Sequence, residues 1–141
     1  MWRSGALVVD TSAWSRAHRA EVRDPWIEAL LADRVRLSPV VKLEILLSAR
    51  GGGDFDAIQD ELDALRTAPL SSSVLRSAEA SMRALAHRSA GAHRIPIVDY
   101  LVAAAAQEIN GTVLHYDADY DLLAEVMDFE SAWLAPPGSL P

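Results

Sequence analysis

The chain has 141 residues, half of them hydrophobic, a net charge of −7 and no cysteine. That length suits one domain spanning 1–141, with apolar content sufficient for a packed core rather than wholesale disorder. Disulfide staples, thiolate metal sites and cysteine nucleophiles are excluded. No apolar run nears the roughly 18 residues of a bilayer span, and Asp10 interrupts what would be a signal segment, so a soluble cytoplasmic protein is expected.

In chain order, Leu7–Asp10 is a continuous apolar run ending in an acid, the pattern of a buried parallel strand. A helix is expected from about Ser12 and another near Pro25. In "LSPVVKLEILLSARGGG" Ser38 caps a helix that has proline at its first position and a glycine run beyond its end. Helices near 54–66 and 72–90 follow. The stretch "RIPIVDYLVAAAAQEING" predicts a helix from about Pro96 to Ile109, stopped by Asn110-Gly111. "TVLHYD" reads as a second buried strand, "DYDLLAEV" as a short helix, and a last strand includes Ala132–Leu134. This alternation predicts an α/β fold of three layers, α/β/α, around a mostly parallel central sheet. Sites in such sheets lie outside the carboxyl ends of the strands, where Asp10 and Asp117 would share one edge.

Two more acids stand at helical spacing with apolar residues. Glu44 has Val40, Val41 and Leu47 at that spacing; Asp99 has Ile95, Val102 and Ala103. A carboxylate on a core-facing stripe is costly unless it is paired or binds a cation. Each acid has a plainer reading: Asp10 as a turn residue, Asp117 as a helix cap, Asp99 at a favourable helix start, Glu44 with an arginine partner. Taken together they are harder to dismiss. Two carboxylates about 6 Å apart repel by roughly 3 kcal/mol at an effective dielectric near 20, and four make six pairs, on the order of 15 kcal/mol. That rivals the whole stability of a domain, about 5–15 kcal/mol. Raised pKa values or a divalent cation must relieve it, and donors that are all oxygen favour Mg²⁺ or Mn²⁺ over Zn²⁺. His18, His87, His93 and His115 show no ligand spacing, although His115 would point to the same side of its strand as Asp117.

Charge is segregated along the chain. Residues 1–50 carry a net +2, residues 51–94 a net −1, and residues 95–141 eight acids with no Lys or Arg. Arg16, Arg19 and Arg23 stand at helical spacing after the first acid and could grip phosphates or meet acidic residues of a partner, with Trp14 and Trp26 beside them.

In order and spacing, "LVVDTSAW", "SPVVKLEILLSAR", "IPIVDYLVAAAA" and "VLHYDADYDLLAE" resemble the acidic motifs of PIN-domain ribonucleases, and among them the VapC toxins of bacterial VapBC toxin–antitoxin pairs. The resemblance covers about Leu7 to Trp133. It implies metal-assisted cleavage of RNA phosphodiesters by an acidic quartet, Asp10, Glu44, Asp99 and Asp117, with Asp119 as a fifth acid. Asp10, Asp99, Asp117 and Asp119 would hold the metal, Mg²⁺ or Mn²⁺, while Glu44 would help hold a second ion or orient water. Ser12 matches a hydroxyl often found beside the first Asp. Two departures are His115, where Thr or Ser is common, and Tyr120, where Phe is common. The implied partners are RNA, a VapB-like antitoxin seated against the helices of Trp14 and Trp26, and a second copy in a homodimer, with no membrane. The alternative is a non-catalytic acidic domain that binds a cation or a partner. A haloacid-dehalogenase phosphatase is excluded because Ser12 stands where that motif needs an acid, and a receiver domain because Lys42 lies off the face of Glu44.

Overall fold

The computed structural model describes residues 2–141. Five strands, β1 (Leu7–Val9), β2 (Val35–Leu37), β3 (Arg66–Thr67), β4 (Thr112–His115) and β5 (Glu130–Trp133), form one sheet in the order β3-β2-β1-β4-β5. Every neighbouring pair is parallel. The connections carry seven helices: α1 (Thr11–Trp14), α2 (Arg23–Leu31), α3 (Pro39–Leu47), α4 (Gly52–Asp63), α5 (Ser72–Arg88), α6 (Ile97–Ile109) and α7 (Asp119–Leu123). The result is the three-layer α/β/α arrangement that strand–helix alternation predicts. Among the described residues no helix is long and apolar enough to cross a membrane.

Central position follows from sequence. β1 and β4 are buried along their whole length, whereas β3 is two exposed polar residues at the sheet edge. β2 and β3 are absent from the sequence expectation because both are too short to carry a strand signal: the alternation in "VRL" lasts only three residues, and "RT" has no apolar residue. Their extended form comes from pairing with β1 and with each other. α6 lies against both central strands, and its buried run Asp99–Ala106 includes four consecutive alanines that permit close approach. It ends as its sequence requires, with Asn110 left-handed at φ 59° and the Gly111 N–H bonded to Ala106 O at 2.9 Å. A Cβ on Gly111 would come within 3.1 Å of the Ala6 carbonyl, a tight approach that favours glycine at the entry to β4.

The start of the chain departs from expectation. The helix after Asp10 is a single turn, Thr11–Trp14, and residues 15–22 continue as tight turns before α2 begins at Arg23. Bonds such as Arg16 N–H to Ala13 O (3.0 Å) and Arg19 N–H to Arg16 O (3.1 Å) span three residues instead of four. Arg16, Arg19 and Arg23 therefore share no helical face.

Topology also explains where a site can form. From β1 the chain steps outward through β2 to β3, then returns across the sheet to β4 and steps the other way to β5. The steps reverse between β1 and β4, which opens a crevice at their carboxyl ends.

Candidate active site

Asp10 is the first residue beyond β1 and caps α1. Its Oδ2 accepts the Ser12 backbone N–H at 3.1 Å and the Ser12 hydroxyl at 2.6 Å, and its Oδ1 accepts the Tyr120 hydroxyl at 2.8 Å. The Ser12 hydroxyl oxygen also accepts the Tyr116 N–H at 2.9 Å, so one side chain ties the first acid to the end of β4. Asp10 is 4% exposed, and three donors fix its orientation.

Asp117 follows β4 by two residues. Its Oδ1 accepts the Asp119 N–H at 2.9 Å, while its own N–H donates to Nδ1 of His115 at 3.2 Å. His115 is fully buried between the rings of Tyr120 (4.8 Å) and Trp133 (4.9 Å), and burial lowers its pKa. It is a packing and positioning group for Asp117, and its Nε2 has no partner.

Asp99 sits in the first turn of α6, 4% exposed, with Oδ2 buried and without a hydrogen-bond partner. Its pKa is pushed up to about 8, first by burial and then by the charges of Asp10, Asp117 and Asp119. Asp10, Asp99 and Asp117 each offer a carboxylate oxygen within 4.8 Å of the others. Asp119 stands next to this group; burial and then Asp117 raise its pKa. Among the described residues none of the ion pairs engages these acids: the paired acids are Asp33, Asp54, Asp63, Glu125 and Glu130. A partnerless buried oxygen, donors that are all oxygen and no neutralising Lys or Arg together fit a hard divalent cation.

Glu44 requires a correction. It does not project with a buried stripe; it is exposed, as are Leu43 (66%) and Leu47 (86%), while Val41 and Ile45 face the core. The sequence "PVVKLEILL" is apolar on both sides of the helix, so spacing alone could not choose the face. Glu44 Oε1 accepts the Thr11 hydroxyl at 2.6 Å, which holds it beside the residue after Asp10 but outside the group of three. The outward apolar face of α3 and Phe55 of α4 line a hollow of about 720 Å³ that borders Glu44.

Of the expected basic cluster, Arg16 alone is tied up by other contacts. Arg16 donates to Ser12 O at 2.8 Å and to Pro141 O at 3.2 Å, with its guanidinium 4.8 Å from the Tyr116 ring centre. Arg19 is half-buried and Arg23 exposed. Trp14 and Trp26 meet edge to face at 5.8 Å and line a hollow of about 350 Å³ with His18, Arg23 and Leu30. Sequence reasoning missed the Tyr120–Asp10 hydrogen bond, for which the only signal was a tyrosine where phenylalanine is common.

The chain is similar to known proteins along nearly its whole length. Ribonuclease VapC18 of Mycobacterium tuberculosis is 42% identical over 133 residues, covering 94% of this chain and 97% of its own. Ribonuclease VapC51 of the same organism is 35% identical, covering 94% and 96%. By fold, the chain is similar to VapBC of Salmonella typhimurium bound to DNA (TM-score 0.72, 11% identity, 94% and 100% covered). It is also similar to VapBC-5 of M. tuberculosis (TM-score 0.64, 24% identity, 92% and 98% covered). The PIN-domain family pattern matches residues 7–126, which contain β1, β4 and all five acids considered above, and the chain belongs to the PIN-domain family.

Proposed function

We propose that this protein is a divalent-metal-dependent endoribonuclease, the toxin of a toxin–antitoxin pair, with Asp10, Asp99 and Asp117 holding the metal. The observation that carries this reading is the convergence of three carboxylates within 4.8 Å, one with a buried oxygen that nothing in the protein satisfies. Relatives named as VapC ribonucleases, similar along nearly the whole chain, support it. The preferred ion is Mg²⁺ or Mn²⁺.

When bound, such an ion acidifies water and offsets the charge that builds on a phosphodiester during attack. Asp10 is held for that work by Ser12 and Tyr120, and Asp117 by the Asp119 N–H. Asp99 must release its proton to bind, because its raised pKa keeps it protonated near neutrality without metal. Asp119 completes the acidic wall, and Glu44, tethered by Thr11, orients water or holds a second ion from the solvent side. Residues 1–141 act as one domain on cytoplasmic RNA. A VapB-like antitoxin covers the site, and a second copy completes a homodimer. The exposed apolar face of Leu43, Leu47 and Phe55 beside Glu44 supports a protein partner, since patches of this kind mark interaction surfaces.

The test is RNA cleavage by purified protein. Cleavage should need Mg²⁺ or Mn²⁺, stop on chelation, and vanish in Asp99→Asn. Cleavage that persists in excess chelator would remove the metal from the mechanism, and full activity of Asp99→Asn would remove Asp99.

A further inference from the structure

The ends of β1 and β4 carry two of the three carboxylates, and one small side chain joins them. The Ser12 hydroxyl donates to Asp10 Oδ2 at 2.6 Å and accepts the N–H of Tyr116, the residue before Asp117, at 2.9 Å. A hydroxyl has a single proton, so this link holds only while Ser12 stays where both partners can reach it. Its own element cannot keep it there. α1 is one turn, Thr11–Trp14, and a single turn forms too few bonds to offset the cost of starting a helix.

Arg16 supplies the hold. Its Nη1 donates to Ser12 O at 2.8 Å, its guanidinium lies 4.8 Å from the centre of the Tyr116 ring, and its Nε donates to Pro141 O at 3.2 Å. One side chain thus grips both residues of the Ser12–Tyr116 link. The planar fork of arginine suits this work, since it donates in two directions while its face rests on a ring. Arg16 is half-buried, and among the described residues no acidic side chain pairs with it.

The partners of Arg16 are themselves fixed from the far side. After β5, residues 134–141 turn back across Tyr116. Leu134 N–H bonds His115 O at 2.7 Å, Ser139 N–H bonds Pro136 O at 3.0 Å, and the buried Leu140 donates its N–H to the Tyr116 hydroxyl at 2.8 Å. Trp133 meets the Tyr116 ring edge to face at 5.5 Å. The ring and the Pro141 oxygen therefore form a preset socket, and the guanidinium seated in it ties the end of α1 to the end of β4.

We propose, resting on the metal-dependent ribonuclease reading above, that Arg16 is a positioning residue of the metal site: by fastening Ser12 to the Tyr116 ring it sets the spacing of Asp10 and Asp117, and with it the affinity for the ion. Metal ligands must be held within about 0.5 Å of their working geometry by the groups behind them. Losing such a group commonly weakens metal binding by about 10- to 100-fold. In this role Arg16 touches neither the ion nor the RNA.

The experiment titrates Mn²⁺ into the full chain by calorimetry and, separately, follows cleavage of a fluorescent single-stranded RNA pool as Mn²⁺ is raised. Wild type that binds Mn²⁺ without cleaving sinks the ribonuclease reading and leaves the metal affinities to decide the role of Arg16; wild type that binds no Mn²⁺ sinks both. Arg16→Gln should bind Mn²⁺ about tenfold more weakly. Arg16→Lys, which keeps the charge and most of the stem but donates from a single point, should fall between that variant and wild type. Saturating Mn²⁺ should return kcat of Arg16→Gln to the wild-type value with KM for RNA unchanged. In a Ser12→Ala background Arg16→Gln should weaken Mn²⁺ binding no further, because its effect travels through Ser12. Unchanged Mn²⁺ affinity in both Arg16 variants overturns the proposal even if the melting temperature falls, since Arg16 would then only support the fold. A raised KM that saturating Mn²⁺ leaves uncorrected overturns it as a contact with RNA, and losses that add to those of Ser12→Ala overturn the route through Ser12. Circular dichroism checks each variant, and if Arg16→Gln fails to fold, Arg16→Lys carries the comparison.

Discussion

Asp99 is destabilising in the metal-free protein, and the proposed metal site depends on it. Its folded pKa of about 8 lies above the ordinary 3.8, so the folded state holds the proton more tightly than the unfolded chain. Its stabilising contribution is fully present below the unfolded value and is lost as pH rises through the folded one. Metal-free protein should therefore lose stability from about pH 4 to 8, by a few kcal/mol at most from this group. Asp99→Asn should flatten that loss, melting at or above wild type at pH 8 with the difference closing near pH 4, as thermal unfolding in chelator would report. Metal affinity of wild type should rise over the same interval, because the cation competes with that proton. The second expectation at this scale concerns Tyr120. Tyr120→Phe keeps the ring beside His115 and removes one of three donors to Asp10. It should fold normally and bind Mn²⁺ about tenfold more weakly by calorimetry, the lower end of what outer-shell partners contribute; unchanged affinity would mean that Ser12 alone positions Asp10. Asp10, Asp99 and Asp117 were legible in the sequence because strand ends and a helix start fix where a side chain emerges. The Tyr120 hydroxyl was not, because its contact spans 110 residues and leaves no local pattern.

Among the elements, those with strong local signals formed near their expected positions. α3 begins at Pro39 with Ser38 as its cap, the Ser38 hydroxyl oxygen accepting Val40 N–H at 3.3 Å, and α6 stops at Asn110-Gly111. Ser38 is fully buried, so Ser38→Ala should cost about 1 kcal/mol and lower Tm by about 4 °C, measurable by calorimetry. Elements decided by distant partners were hidden. α1 stops after one turn because the segment to Val22 folds into tight turns, with Arg16 tied back to Ser12 O and Pro141 O, and no spacing rule registers such ties. β2 forms on the edge that β1 offers and β3 on the edge of β2; their own runs of three and two residues are too short to signal a strand. α3 was placed correctly but turned wrongly, since apolar residues occupy both its faces.

For the whole molecule, three acids of the acid-rich last third, Asp99, Asp117 and Asp119, gather beside Asp10 at the β1–β4 junction, whereas Glu108 and Glu130 lie toward the other end of the sheet. Cation binding should stabilise the entire fold. At a hundredfold excess over Kd, Mn²⁺ should add about 2.7 kcal/mol and raise Tm by about 9 °C for a chain of this size. Asp99→Asn should abolish most of that shift; a full shift in the variant would place the ion elsewhere. The β1–β4 pairing has a further consequence in time. Leu7 pairs with Thr112, and Ser12 reaches Tyr116, so the site joins parts of the chain more than a hundred residues apart. Contacts of such long range form late and slowly. During synthesis Asp10 emerges early but has neither Asp117 nor Tyr120 to meet until nearly the whole chain has been made. A growing or prematurely ended chain that lacks β4 carries no assembled metal site, so the ribosome that makes this protein is not exposed to its activity until translation is almost complete.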